Sequence, residues 1–191
     1  MRFSRTEISH LLRAWVCISL AFAVFESGLH FDSTFLIILA ITAVTAGVGF
    51  LAHELMHKFV AQRYGCWAEF RANNRMLLLM LVFSPRVIFA APGGVLISGH
   101  ITARTNGIIS LAGPVTNLAL GCAFAAVTLV LPSALQPLSA YGMDINFWLF
   151  FFNMLPFPGI DGSKVWKWNK AAYIILFLLS IVLAFGAKYA I

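Results

Sequence analysis

Residues 34–62 form a run long and apolar enough to cross a membrane, yet near its end it carries His53-Glu54-Leu55-Met56-His57. A spanning segment needs about 20 predominantly apolar residues, and lipid forces its backbone to satisfy itself internally, here as a helix. Residues four apart on a helix share one face, so His53 and His57 can both turn a ring nitrogen toward one metal ion. Glu54, next to the first histidine, can reach a water held by that metal. In a soluble protein this pattern reads as a zinc protease. In lipid, three ionisable groups at one depth are costly and mark a functional site. The expectation is a zinc peptidase that cuts peptide bonds within or beside the membrane.

The remainder of the chain fits that setting. Of 191 residues, 61% are hydrophobic and only 10% charged, against roughly a quarter charged in soluble domains. The net charge of +6 does not call for nucleic acid, because the positions of the charges follow a topology. Arg2, Arg5 and Arg13 precede the first apolar run, Lys58, Arg63, Arg71, Arg75, Arg86 and Arg104 follow the second, and Lys164, Lys167 and Lys170 precede the last. Lys188 alone falls on the other side. This one-sided pattern places the N-terminus and the metal motif on the cytoplasmic side of the cell membrane. Candidate spans are 11–31, 34–62, 107–131, 143–157 and 171–190. The expected fold is therefore an all-α polytopic membrane protein of about five transmembrane helices, forming one domain over 1–191, with the lipid bilayer as its partner. Ala21-Phe22-Ala23 has the small-x-small form of a signal cleavage site, but it lies inside its apolar run, so a retained helix is expected. Cys17, Cys66 and Cys122 form no close pair, and no disulfide framework is implied.

Residues 76–105 resist a helical reading. Met76 to Phe83 is apolar, but Ser84-Pro85-Arg86 cuts it short and Pro92-Gly93-Gly94 signals a turn. Ile101, Ala103 and their polar neighbours alternate as in a strand. A strand with a free edge cannot face lipid, so a short sheet dipping into the membrane beside the metal is expected. The alternative is a loop with an amphipathic surface segment.

A catalytic zinc needs three protein ligands and an open position. Glu69, near Arg71 and Arg75, reads as part of a solvated face, and His100, a lone histidine beside glycine, is more often structural. Asp161 stands out. It follows Asn153-Met154-Leu155-Pro156-Phe157-Pro158-Gly159-Ile160, where prolines and glycine must break the helix. Broken backbone near the membrane belongs in a cavity or against protein. Capping of the following helix by Asp161 remains the competing explanation.

Taken together, His53-Glu54-Leu55-Met56-His57 and Asn153-x-x-Pro156-x-Pro158-x-x-Asp161-Gly162 resemble the paired signature of the site-2 proteases, the intramembrane zinc metalloproteases. Gly113-Pro114-Val115-Thr116-Asn117 is similar to a motif on that family's third core helix, and Pro92-Gly93-Gly94-Val95 resembles its membrane-dipping hairpin. The resemblance runs from about 45 to 165. It implies Zn2+ held by His53, His57 and Asp161, with Glu54 as the catalytic base. It also implies Asn153, Asn117, Gly93 and Gly94 near the substrate, a transmembrane protein; Asn153 is the candidate catalytic donor to a developing oxyanion, its alternative a helix-stabilising amide contact. Met56 and Ser163 stand where many members have glycine. Neither a PDZ nor a nucleotide-sensing domain is visible, as in a minimal core. The competing expectations are a catalytically inactive relative that binds without cutting, and a metal-binding or transport protein. A transport pathway would spread polar groups along several helices, whereas here they cluster.

Overall fold

Short polar residues set the ends of the apolar helices. In a computed structural model, which describes residues 2–88 and 92–186, α1 spans Arg5–Ser27. Ser4 caps it by accepting from the Glu7 amide, and Gly28 ends it in the left-handed conformation, φ 60°. Asp32 caps α2, Ser33–Thr42, through Phe35 N at 3.0 Å. This helix passes through one π-helical turn, Ala43–Gly47, into α3, Val48–Arg63. The π turn sits where α1 crosses. The Trp15 indole donates to the Ala43 carbonyl at 3.0 Å, and a Cβ on Gly47 would press on Trp15 and Ser19.

After α3 come β1 (Trp67–Ala72), α4 (Asn74–Phe83) and β2 (Gly93–Ser98). The two strands pair antiparallel, from Trp67 opposite Ser98 to Ala72 opposite Gly93. Then follow α5 (Ala103–Thr128), α6 (Gln136–Asn153), α7 (Asp161–Trp168) and α8 (Lys170–Gly186). The main core joins Leu11, Ile18 and Phe22 of α1 to Phe50 of α3, Phe70 of β1, Leu77 and Met80 of α4, and Leu149 of α6. Outward-facing Leu36, Ile37, Leu78, Ile175 and Val182 are exposed. An apolar exterior of this extent needs a lipid or protein cover.

Three helical stretches are long and apolar enough to cross a membrane: Arg5–Ser27, Ser33–Arg63 and Ala103–Thr128. They match three of the five expected spans and suit a membrane protein. Of the other two runs, 143–157 is helical only as far as Asn153, where the 18-residue α6 ends, and 171–190 is helical through Gly186 in α8, which has 17 described residues. Lys188 and the end of the 171–190 run lie outside the described residues.

The expected segment 76–105 resolves differently from its sequence pattern. Met76–Phe83 is helical, begun by Asn73, whose side chain accepts from the Arg75 and Met76 amides. Strand β2 lies earlier than the Ile101–Ala103 alternation, which instead leads into α5 through its cap Thr102. Residues 89–91 of that segment lie outside the described ones. Strand β1 was not anticipated. Its Glu69, expected on a solvated face, is buried and accepts from the Ser4 hydroxyl and from Arg71 at 2.8 Å. The Ser4 bond, with Arg71, holds its carboxyl below the usual carboxylate range.

Candidate metal centre

Helix α3 buries Gly49, Phe50, His53, Glu54, His57 and Ala61, the stripe expected of a helix packed along one face. Helix α5 covers that stripe, and the break after α6 brings α7 beneath it. Asp161 is the first residue of α7, and Ile160 is the cap residue. The carboxylate of Asp161 thus does not cap its helix. Its Oδ2 lies 3.0 Å from His57 Nε2 and 3.3 Å from His53 Nε2, and the two Nε2 atoms are 2.9 Å apart. Among the described residues these three form the one group of His, Cys, Asp or Glu able to hold a metal. Glu69 and His100 stand outside it.

The hydrogen bonds behind the ligands reveal what the cluster requires. Asn146 Nδ2 donates to the Gly142 carbonyl at 2.8 Å, so Asn146 Oδ1 is an acceptor and takes a hydrogen from Asn117 Nδ2 at 3.1 Å. The Gly49 carbonyl also accepts from Asn117 Nδ2, at 3.2 Å. Asn117 Oδ1 therefore faces His53 Nδ1, at 2.6 Å, and that nitrogen must donate. His57 Nδ1 meets the Ile109 carbonyl at 2.7 Å and must donate as well. Each neutral ring then carries its lone pair on Nε2. Two bare imidazole nitrogens and a carboxylate oxygen converge with no donor among them. Three acceptors so close repel one another unless a cation sits between them, and the N/N/O donor set suits zinc.

Local sequence explains how the site forms. Pro114 offers no N–H to the Ser110 carbonyl one turn back, which loosens α5 beside the Ile109 carbonyl that holds His57. A Cβ on Gly113 would meet both imidazole Nε2 atoms. A Cβ on Gly162 would strike the backbone of Met154 and Leu155, so glycine lets the broken segment fold against α7. Lys164 Nζ approaches Asp161 Oδ1 at 3.3 Å, leaving Oδ2 for the histidines. Met56 is partly exposed, at 37%, and Ser163 donates to the Ile160 carbonyl at 2.8 Å.

A cavity of about 210 Å³ opens beside this cluster. Glu54 lines it, buried, with Oε2 lacking any hydrogen-bond partner. Gly93, Gly94, Val95 and Ile97 of β2 line it as well, together with Asn153 and Asp161. Gly93 has no room for a Cβ, which would run into Arg71 and Ala72, whereas Gly94 faces open space. Asn153 donates one amide hydrogen to the Leu149 carbonyl at 2.9 Å and keeps a second. Asn117 is fully buried behind His53 with both ends of its amide engaged.

Sequence reasoning missed Asn146, Gly49 and the Ile109 carbonyl, which complete the support behind the ligands. A fully buried amide such as Asn146 in an apolar run is the signal that was available. Outer-shell partners of metal ligands typically affect affinity by about 10–100-fold. Asn117→Ala is expected to weaken zinc binding within that range, read by chelator competition, with the helical fold retained by circular dichroism. Unchanged zinc affinity would show that Asn117 does not hold His53 for the metal.

No family model and no solved structure matches the chain. Among curated proteins, it is 39% identical over 182 residues to the Methanocaldococcus jannaschii protein named "Putative zinc metalloprotease MJ0611", covering 92% of this chain and 91% of that one. It is 29% identical over 144 residues to "Putative zinc metalloprotease YwhC" of Bacillus subtilis, covering 64% and 65%. With this donor set and these relatives, the cofactor is zinc. The chain belongs to the zinc metalloprotease family of the Methanocaldococcus jannaschii protein.

Proposed function

We propose that this protein is an intramembrane-cleaving metalloprotease of the site-2 protease type, acting on transmembrane protein substrates. The observation that carries the reading is the buried, unpartnered Glu54 Oε2 beside the His53–His57–Asp161 cluster, on a helix apolar enough to span a membrane. Bound zinc would act as a Lewis acid on the scissile carbonyl and as an activator of water. The residues do the rest. Glu54 accepts a proton from the attacking water and returns it to the leaving amine. The free amide hydrogen of Asn153 is placed to stabilise developing negative charge on the carbonyl oxygen. Asn117 and the Ile109 carbonyl keep both rings in the tautomer that leaves Nε2 free. The arrangement of charges supports about five membrane passes in the cell membrane, with the N-terminus and the site toward the cytoplasm.

A substrate helix hides its peptide bonds, so a segment must unwind before attack. Strand β2 offers a partner for it. Phe70 and Ala72 turn their N–H groups away from β2, toward α1, at 2.9 and 3.0 Å from their acceptors. Antiparallel alternation then points Glu69 and Arg71 at β2, and leaves Val95 and Ile97 facing outward over the cavity. An unwound substrate strand would pair with this edge. Proline at 97 removes an outward N–H and spares the ladder. Ile97→Pro is therefore expected to lower kcat/KM about tenfold or more with zinc retained, while Ile97→Val stays near wild type. Equal cleavage by both variants would remove strand pairing from the mechanism. The overall reading is tested by reconstituting the protein in liposomes with a single-span peptide and mapping the cut by mass spectrometry. Cleavage confined to exposed loops would refute intramembrane proteolysis.

A further inference from the structure

The N-terminal end of α1 buries a charge pair that plays no part in the chemistry above. Glu7 and Lys58 are both fully buried. Lys58 Nζ donates to Glu7 Oε2 and, at 2.6 Å, to the Arg2 carbonyl, and lies 4.0 Å from the centre of the Phe3 ring. The other carboxylate oxygen, Glu7 Oε1, accepts from Phe70 N at 2.9 Å. His10 Nδ1, one helical step further along the same face, accepts from Ala72 N at 3.0 Å. These two side chains occupy the outward N–H groups of β1 at Phe70 and Ala72, which would otherwise be an open sheet edge.

The two ends of this linkage converge on the catalytic base. Lys58 stands one helical turn after Glu54 on α3. Phe70 stands directly opposite Val95 in the sheet, and Val95 and Glu54 line the same cavity. Contacts therefore run from Lys58 to Glu7, from Glu7 to Phe70 and from Phe70 across to Val95, while Lys58 shares a helix with Glu54 and Val95 shares a cavity with it. A single carboxylate on α1 ties the zinc helix to β1, and through the sheet to β2.

We infer that Glu7 is a positioning residue, whose carboxylate bridges Lys58 and Phe70 so that the outward edge of β2 is held at a fixed height over Glu54. The inference rests on the strand-pairing reading above. A buried pair replaced by apolar groups of similar size commonly folds, whereas removal of one partner leaves a buried charge. The informative variants are therefore doubles. Glu7→Leu/Lys58→Met removes the charges and the acceptor for Phe70. Glu7→Gln/Lys58→Met removes the charges but keeps an amide oxygen for Phe70 N. Three quantities are compared in the full-length protein: zinc content, hydrogen–deuterium exchange over 93–98 and over α3 and α5, and kcat and KM for a single-span peptide.

The expected result for Glu7→Leu/Lys58→Met is exchange over 93–98 accelerated tenfold or more, KM raised about tenfold, and zinc content and protection in α3 and α5 as in wild type. The Gln/Met double is expected to restore both slow exchange and KM. Wild-type exchange over 93–98 in the Leu/Met double would overturn the inference. So would exchange accelerated equally throughout α3 and α5, or zinc lost, since either marks general loosening. Accelerated exchange confined to 93–98, in a protein whose wild type cleaves no membrane peptide, would uphold the positioning role and overturn the protease reading alone.

Discussion

Glu54→Gln is expected to lose peptide cleavage, with kcat lower by about 10²–10⁴-fold, the usual contribution of a positioned general base, while zinc content stays at wild type. Glutamine matches glutamate in size and cannot take a proton. It should not disturb the metal, because the converging donors are His53, His57 and Asp161, and Glu54 is outside that group. Nor should it strain the fold, because Glu54 Oε2 has no hydrogen-bond partner to lose. The check is paired: zinc per mole by elemental analysis, and single-turnover cleavage of a transmembrane peptide. An undiminished rate would eliminate Glu54 as the base. Loss of zinc would make it a ligand instead.

Asp161→Ala should have an effect of comparable size on a different quantity. Removing the carboxylate leaves two imidazoles from one helix, an incomplete set for a catalytic zinc. The loss of zinc affinity should exceed the 10–100-fold typical of outer-shell partners, and activity should disappear with the metal. Asp161→Asn separates charge from shape: the carboxamide fills the same space, yet supplies no anion to offset the dication. It too should bind zinc weakly. Chelator competition followed by metal analysis measures both variants. Full zinc affinity in Asp161→Ala would mean that the third donor comes from another residue.

The two halves of the site differed in how far they could be read from the residues. His53, Glu54 and His57 were legible because one helical period joins them, and a helix is the conformation an apolar run must take in lipid. Asp161 was legible through the helix-breaking pattern around it, which had to occur for some reason. Capping was the rival explanation, and it fails because Ile160 occupies the cap position while the carboxylate turns to the histidines. The supports behind the ligands were not legible. Asn117 lies 64 residues from His53, and the Ile109 carbonyl 52 from His57. Nothing local reports which carbonyl will face which ring. The requirement for glycine at 113 likewise comes from rings on another helix.

The small sheet marks the other limit. Strand β1 buries Ala68, Glu69 and Phe70 in succession, so it lacks the alternation that identifies a strand covered on one face. Glu69 reads as solvated because its partner Ser4, the cap of α1, stands 65 residues earlier.

From its sequence alone this protein was bound to be helical in a lipid-like setting and to offer paired imidazoles with an adjacent carboxylate, because both properties depend on spacing along a single segment. Tertiary structure alone decided that the Asp161 carboxylate turns to both rings instead of capping α7, that both rings expose Nε2, and that β2 turns its outward edge over the cavity that Glu54 lines. Those outcomes depend on distances between segments remote in the chain, and only packing sets such distances.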